Sequence, residues 1–267
     1  MDLQLAFIIA LTFVIHLVGT LAYAFRIAGI RTRQIATAFA LFNILVLVSR
    51  TANSFQGPFI AKRVETNILG QTAHNLAFDF SLVLFAATLA TIVGGLMIPT
   101  CQRVAGRAIN GFSRDRSVVK LVRRAITPHG VGTVASAFTV PRRRSLTSLR
   151  WRLDLPLGVV ALNVFASALW TVGVLAAIYA GAIDPELRLT ASTLSSVVNG
   201  VATILLFVII DPYLAGLTDD VVKGADTEAH FRRVVIWMVG SRLAGTLLAQ
   251  LLLVPSAQLI VWVAHAV

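Results

Sequence analysis

The sequence predicts an all-α integral membrane protein of six transmembrane helices, and three observations carry that prediction. Hydrophobic residues make up 57% of the chain against 13% charged, and the mean hydropathy is +0.82, well outside the range of soluble domains. Six apolar segments are each long enough to cross a hydrocarbon core of about 30 Å at about 1.5 Å per helical residue. Their lengths and the breaker residues between them favour helices over barrel strands, which alternate apolar and polar residues in short runs.

Taken in order, the spans also carry polar stripes at helical spacing. The first, Leu3 to Phe25, lacks the short apolar region and small-residue cleavage site of a signal peptide and is read as retained; Thr12, His16, Gly19, Thr20 and Tyr23 share one of its faces. The second, Ile35 to Phe55, aligns Asn43, Arg50 and Ser54 and stops before a Gly57-Pro58 turn. The third runs from Leu76 to Ile98 and carries Asp79 near its start. The fourth, Leu157 to Ala180, offers Asn163, Ser167 and Thr171, and the fifth, Leu189 to Ile210, offers Ser192, Ser196, Asn199 and Thr203. The sixth, Val234 to Val263, lines up Arg242, Thr246 and Gln250; it exceeds the length needed and contains Pro255, so a tilt or kink is expected. Packing through small residues and interhelical hydrogen bonds accounts for Ser, Thr and Gly in such stripes. It does not account for arginine.

The chain therefore divides into residues 1–101 with three spans, a basic loop over 102–153, and residues 154–267 with three more, all in one membrane domain. Between Arg103 and Arg152 lie 12 of the 23 basic residues against one acid, Asp115, which by the positive-inside rule makes this loop cytoplasmic. Arg26 to Arg33 and Leu217 to Arg233 fall on the same side, with three Lys or Arg each, while the opposite loops carry Lys62, Arg63 and Arg188. Both termini are then external. The loop serves as a topology determinant that also meets anionic lipid headgroups, and Val118 to Ile126, with Lys120, Arg123 and Arg124 among apolar residues, reads as a short helix lying on the membrane face. Functional docking is the competing reading. Membrane insertion already explains a calculated pI of 11.3, so nucleic acid is not implied as a partner. One cysteine, Cys101, excludes an intrachain disulfide. No metal, phosphate-loop or dinucleotide motif is legible, so no cofactor and no metal are expected, and no determinant of oligomeric state stands out.

Arg50 and Arg242 are the informative residues. An arginine at mid-bilayer costs about 3 kcal/mol on insertion scales, so it tends to face a bundle interior and meet an acid or an anionic ligand. For Arg50 the alternative is an ion pair with Asp79 toward the external side. Arg242 lies about 13 Å along its helix from Arg233 at about 1.5 Å per residue, near the midplane, with no acid at its depth. Asp211 closes the fifth span near the cytoplasmic face and reads as a helix-end residue, with Arg232 or Arg233 as partners within its reach. His16 at mid-depth suits proton relay or anion donation, or equally a packing role. Arg26 and Arg31 at the cytoplasmic mouth suit capture of an anionic headgroup, or simple snorkelling.

The halves show similarity at an offset of 154 to 156. Val18-Gly19 and Leu21-Ala22 recur as Val172-Gly173 and Leu175-Ala176, Pro58-Phe59-Ile60-Ala61 as Pro212-Tyr213-Leu214-Ala215, and Pro99 as Pro255. With three spans per half the second copy is inverted, a 3+3 arrangement that supports alternating access in transporters. Chance likeness between apolar helices is the competing explanation.

Three stretches carry a resemblance: HLVGTLAYAFRIAGIRT from His16 to Thr32, FALFNILVLVSRTANSFQGP from Phe39 to Pro58, and AKRVE from Ala61 to Glu65. They are similar to the Amj family of lipid II flippases, and length and span layout agree across the chain. The resemblance implies a protein of the bacterial plasma membrane, without enzymatic activity, that moves lipid II from the inner to the outer leaflet and can substitute for MurJ, an unrelated flippase. Lipid II is an undecaprenyl-diphosphate-linked disaccharide-peptide. Its headgroup needs a polar groove through hydrocarbon, and the planar fork of arginine suits a diphosphate. Arg50 and Arg242, with Asn43, Arg26 and Arg31, are thus the candidate headgroup ligands in a central cationic cavity, and His16, Asp79 and Glu65 the candidate coupling or ion-pairing groups. No catalytic residue is assigned. The driving force is an ion gradient, the membrane potential or removal of product outside. The rival class is a membrane enzyme acting on a polyprenyl phosphate, which needs clustered acids or a nucleophile with its base.

Overall fold

The computed structural model describes residues 2–70, 75–139 and 155–267; Arg142, Arg143, Arg144, Arg150 and Arg152 of the basic loop lie outside them. Six helical spans follow one another as expected, but several run well past their hydrophobic cores. Helix α1 spans Leu3–Thr32, capped by the Asp2 carboxylate on the Leu5 N–H and closed by Arg33 in the left-handed region at φ 52°. Helix α2 covers Ile35–Ile68 with Pro58 inside it, and α3 covers Leu76–Asp115 with Pro99 inside it. The Gly57-Pro58 turn expected from the sequence is therefore helix. A proline removes one backbone hydrogen bond and bends a helix without necessarily ending it when neighbouring helices hold both arms.

On the basic segment, α4 (Val118–Ala125) and α5 (Pro128–Ser136) are each started by a capping hydroxyl, from Ser117 and Thr127. Helix α6 spans Leu157–Ile183. The fifth span is composite: a 3-10 turn over Pro185–Leu187, α7 (Arg188–Thr193), α8 (Ser195–Ile204), a π-helical stretch over Leu205–Ile210 and α9 (Asp211–Lys223), which ends on Gly224 at φ 79°. Helix α10 covers Glu228–Ala266 in one piece through Pro255.

Helix α1 packs on α2 and α3, and α6 packs on α10 and α8, so each half is assembled around its own first helix. Contacts of α3 with α10 and of α2 with α6 join the halves. Small residues make the close approaches, as expected where lipid tails compete equally for apolar side chains. A Cβ on Gly245 of α10 would lie 2.5 Å from the Val164 carbonyl oxygen of α6, and one on Gly94 of α3 would lie 2.8 Å from the Thr20 Cβ of α1.

The core is layered. One apolar cluster, including Leu5, Ile8, Ile60, Phe80, Leu84, Leu175 and Leu253, fills the end where α1 begins. Another, including Tyr23, Ile27, Ile98, Leu214, Phe231 and Met238, fills the end where α1 finishes. Midway between them the interior turns polar, with Thr12, His16 and Thr20 on α1, Thr88 and Thr91 on α3, Ser167 and Thr171 on α6, and Ser241 and Thr246 on α10 all buried.

Candidate functional site

Most of the hydroxyls in this layer are satisfied within their own helices. Thr20 donates to the His16 carbonyl at 2.9 Å, Thr171 to the Ser167 carbonyl at 2.6 Å and Thr246 to the Leu243 carbonyl at 2.8 Å. Asn163 ties α6 to α10 by donating to the Met238 carbonyl at 3.1 Å and to the Ser241 hydroxyl at 2.6 Å. Gln56 ties α2 to α1 by donating to the Thr12 hydroxyl at 2.6 Å. These bonds hold the helices together, as the stripes alone would suggest.

Four buried atoms in and beside the layer have no partner among the described residues: Arg242 Nε, His16 Nδ1, Ser167 Oγ and Asn199 Oδ1. Buried polar atoms are nearly always hydrogen-bonded, so a group of orphans marks a place that expects water or a ligand. Arg242 is half-buried, and its guanidinium lies in the notch left by Gly19, where a Cβ would meet Nη2 at 2.6 Å. His16 and Tyr23, one turn to either side of Gly19, lie within its electrostatic reach. Among the described residues no carboxylate forms an ion pair with it. One turn of α1 away from Gly19, at His16, a cavity of about 40 Å³ opens between α1, α2, α6 and α8, lined by His16, Asn53, Gln56, Trp170, Thr171 and Asn199 among others.

The other arginines are arranged differently from the sequence-based expectation. Arg50 is exposed on α2, with no ion pair among the described residues, and its expected partner Asp79 is engaged elsewhere. The helix continues past Pro58, so that Arg63, assigned by sequence to an external loop, becomes a buried residue 2% exposed. Its guanidinium holds Asp79 at 2.8 Å and Asp2 at 2.7 Å, pinning α2 to α3 and to the start of α1. Asn43 is exposed on the lipid-facing side of α2 and lines no part of the cavity. Arg26 is buried, paired with Asp211 at 2.6 Å and stacked over the Phe39 ring at 4.9 Å. Asp211 thus meets Arg26 rather than Arg232 or Arg233, because the composite fifth span folds back onto the end of α1. Arg31 pairs with Glu228 at 2.9 Å, as does Arg232. Glu65 is exposed at the far end of α2 and lines, with Arg188, a cleft of about 120 Å³ against α6 and α7 without an ion pair between them.

Of the sequence-derived candidates, Arg242 and His16 are brought together. Asn53, Gln56 and Trp170 join them unannounced, since a single amide or indole in an apolar helix has no period of its own. Two amides one turn apart on α2, Asn53 and Gln56, were the signal available.

A sequence model of the Amj family, described as alternate to MurJ, matches residues 11–264. A protein of Bacillus subtilis (strain 168) named lipid II flippase Amj is 35% identical over 261 residues, covering 97% of this chain and 96% of the relative. No solved structure matches the chain. Six apolar helices and likeness over nearly the full length lead to one assignment: the chain belongs to the Amj family.

Proposed function

We propose that this protein carries lipid II across a bacterial plasma membrane from the inner to the outer leaflet, and that Arg242 is the cation over which the diphosphate passes. The observation that carries the reading is the unpaired guanidinium inside the polar layer. An arginine retained at that depth without an acid is costly, and a diphosphate supplies the missing acceptors through two parallel hydrogen bonds. The name of the Bacillus subtilis relative, lipid II flippase, supports the substrate.

The ion pairs fit an alternating-exposure cycle. Arg26–Asp211 and Arg31–Glu228 cross-tie the first and second halves at the end where α1 finishes. At the opposite end, Asp2–Arg63–Asp79 lies within the first half and Asp184–His265 within the second, and the cleft with Glu65 and Arg188 lies between the halves. With residues 102–153 cytoplasmic and both termini external, the cross-tied end is cytoplasmic and the cleft faces outward. An inverted 3+3 repeat accommodates this asymmetry, since the two halves then rock about the polar layer. On the same orientation α4 presents Lys120, Arg123 and Arg124 to anionic headgroups of the inner leaflet. Arg50, exposed on α2 one turn before Asn53, meets the phosphate of a lipid approaching from the side, and Asn43 lies farther along that face.

An enzyme acting on polyprenyl phosphate fits less well, because Asp79 and Asp211 are each engaged by an arginine and so serve poorly as a general base. Vesicles containing lipid II, with and without purified protein, test the proposal. The protein is expected to raise the fraction of lipid II open to an impermeant reagent in the opposite leaflet; accessibility equal to that of protein-free vesicles overturns the reading.

A further inference from the structure

The cavity beside Arg242 is chemically distinct from a phosphate site. Its polar lining consists of carboxamides, hydroxyls and one imidazole, with the Trp170 indole on one wall and no carboxylate. Two of the side chains that line it carry a buried atom with no partner among the described residues: His16, only 4% exposed, at Nδ1, and Asn199 at Oδ1, which lies against Gly173 of α6, 2.5 Å from where a Cβ would be. Arg242, held against Gly19 one turn of α1 from His16, opposes a cation there, and the polar lining opposes an acyl chain. What remains is a neutral group rich in hydroxyls and amides, with an apolar face to set against an indole. A sugar ring bearing acetamido groups has that character.

We infer that this cavity is a saccharide subsite, holding the sugar attached to the diphosphate while the phosphates rest on Arg242, and that it is reached sideways between α2 and the fifth span. The inference builds on the transport reading given above. A volume of about 40 Å³ suits only about three water-sized groups, so a sugar requires α2 and the fifth span to separate. Those are the two least packed spans, with 17% and 11% of an apolar 18-residue stretch buried against 50% for α3 and for α6. They pack mainly on α1 and on α6, hardly on each other. Each also carries an irregularity close to the cavity, α2 the helical Pro58 beyond Gln56 and the fifth span the π-helical stretch beyond Asn199. Such irregularities lower the resistance of a helix to bending and recur at functional sites. The polyprenyl tail would stay in lipid, passing Val197, Val201 and Phe55, all exposed along the same gap.

The test compares two probes on protein in lipid nanodiscs: lipid II, and undecaprenyl diphosphate, which lacks the sugars and peptide. Wild-type protein is expected to bind lipid II at least about tenfold more tightly. Asn199→Leu and Trp170→Leu should each bring lipid II affinity down to that of undecaprenyl diphosphate, whose own binding stays within about twofold and so reports that the fold is intact. Asn53→Leu provides a third variant on a different helix with the same expected result. Equal wild-type affinity for the two lipids overturns the subsite, as does an equal loss for both lipids in all three variants. Wild-type protein that binds neither lipid overturns the transport reading together with the subsite, whereas loss of both lipids in Arg242→Ala alone upholds it.

Discussion

Gly19 and Arg242 compete for the same space: a methyl group on Gly19 of α1 would lie 2.6 Å from the Arg242 Nη2 of α10. The missing side chain of one residue is the berth of the other's guanidinium. That relationship explains how a charged side chain with no ion pair among the described residues is accommodated between α1 and α10.

Gly19→Ala is therefore expected to displace the guanidinium while leaving the fold intact, because the group it meets is the far end of a flexible side chain and alanine favours helix. Lipid II movement in vesicles should fall about tenfold, the effect of one lost charge-assisted hydrogen bond of about 1.5 kcal/mol. Its melting temperature in detergent should stay at or above that of the wild type.

Gly245→Ala makes the opposite prediction. The obstacle there is the Val164 carbonyl at 2.5 Å and the Ser167 Cβ at 2.7 Å, backbone and rigid stem that cannot swing away. Forcing α6 and α10 apart should cost about 2 kcal/mol, read as a lowered melting temperature and reduced yield of monodisperse protein.

At the charge itself, Arg242→Ala is expected to abolish growth of a strain that depends on this protein for lipid II export, with normal membrane insertion. Arg242→Lys should support growth partially, since an ammonium keeps the charge but lacks the bidentate fork. Arg50→Ala, on the exposed face of α2, should slow transport without abolishing it. Full growth from Arg242→Ala would remove the proposed diphosphate contact.

The buried end of Arg26 offers a stability test. Asp211→Ala strands a guanidinium only 7% exposed and should destabilise the protein by about 3 kcal/mol. Arg26→Leu combined with Asp211→Leu should recover most of that loss, because an apolar pair of similar size avoids the stranded charge. Thermal melts of the two proteins decide the matter.

Orientation is open to direct measurement. In a Cys101→Ser background, Leu3→Cys should react with an impermeant thiol reagent in intact cells. Val119→Cys, on α4, should react only once the membrane is opened.

The layout of spans was legible because the bilayer enforces it locally. A helix that crosses hydrocarbon must be apolar for about twenty residues, so α1 and α6 are visible as runs of Leu, Ile, Val and Ala without any knowledge of their neighbours. The short amphipathic helix from Val118 was legible for the same reason. Helix ends were less so: α2 continues for a further thirteen residues beyond Phe55 because Arg63, held by Asp2 and Asp79, fastens its last turns. Hydropathy reads a charge near a proline as a loop, and only the partner's position shows it to be the interior.

Sequence by itself determined the class, the number of apolar spans and the presence of arginines that hydrocarbon cannot solvate, since each follows from the transfer of single residues or short windows between water and lipid. Tertiary structure decided which arginine is paired and which is bare: Asp79 goes to Arg63, Asp211 to Arg26, Arg50 stands on an outer face, and Arg242 is left in the notch of Gly19. Those outcomes depend on which helices approach within a few ångströms of one another and at what rotation. No periodicity within one helix encodes the face that its neighbour will present.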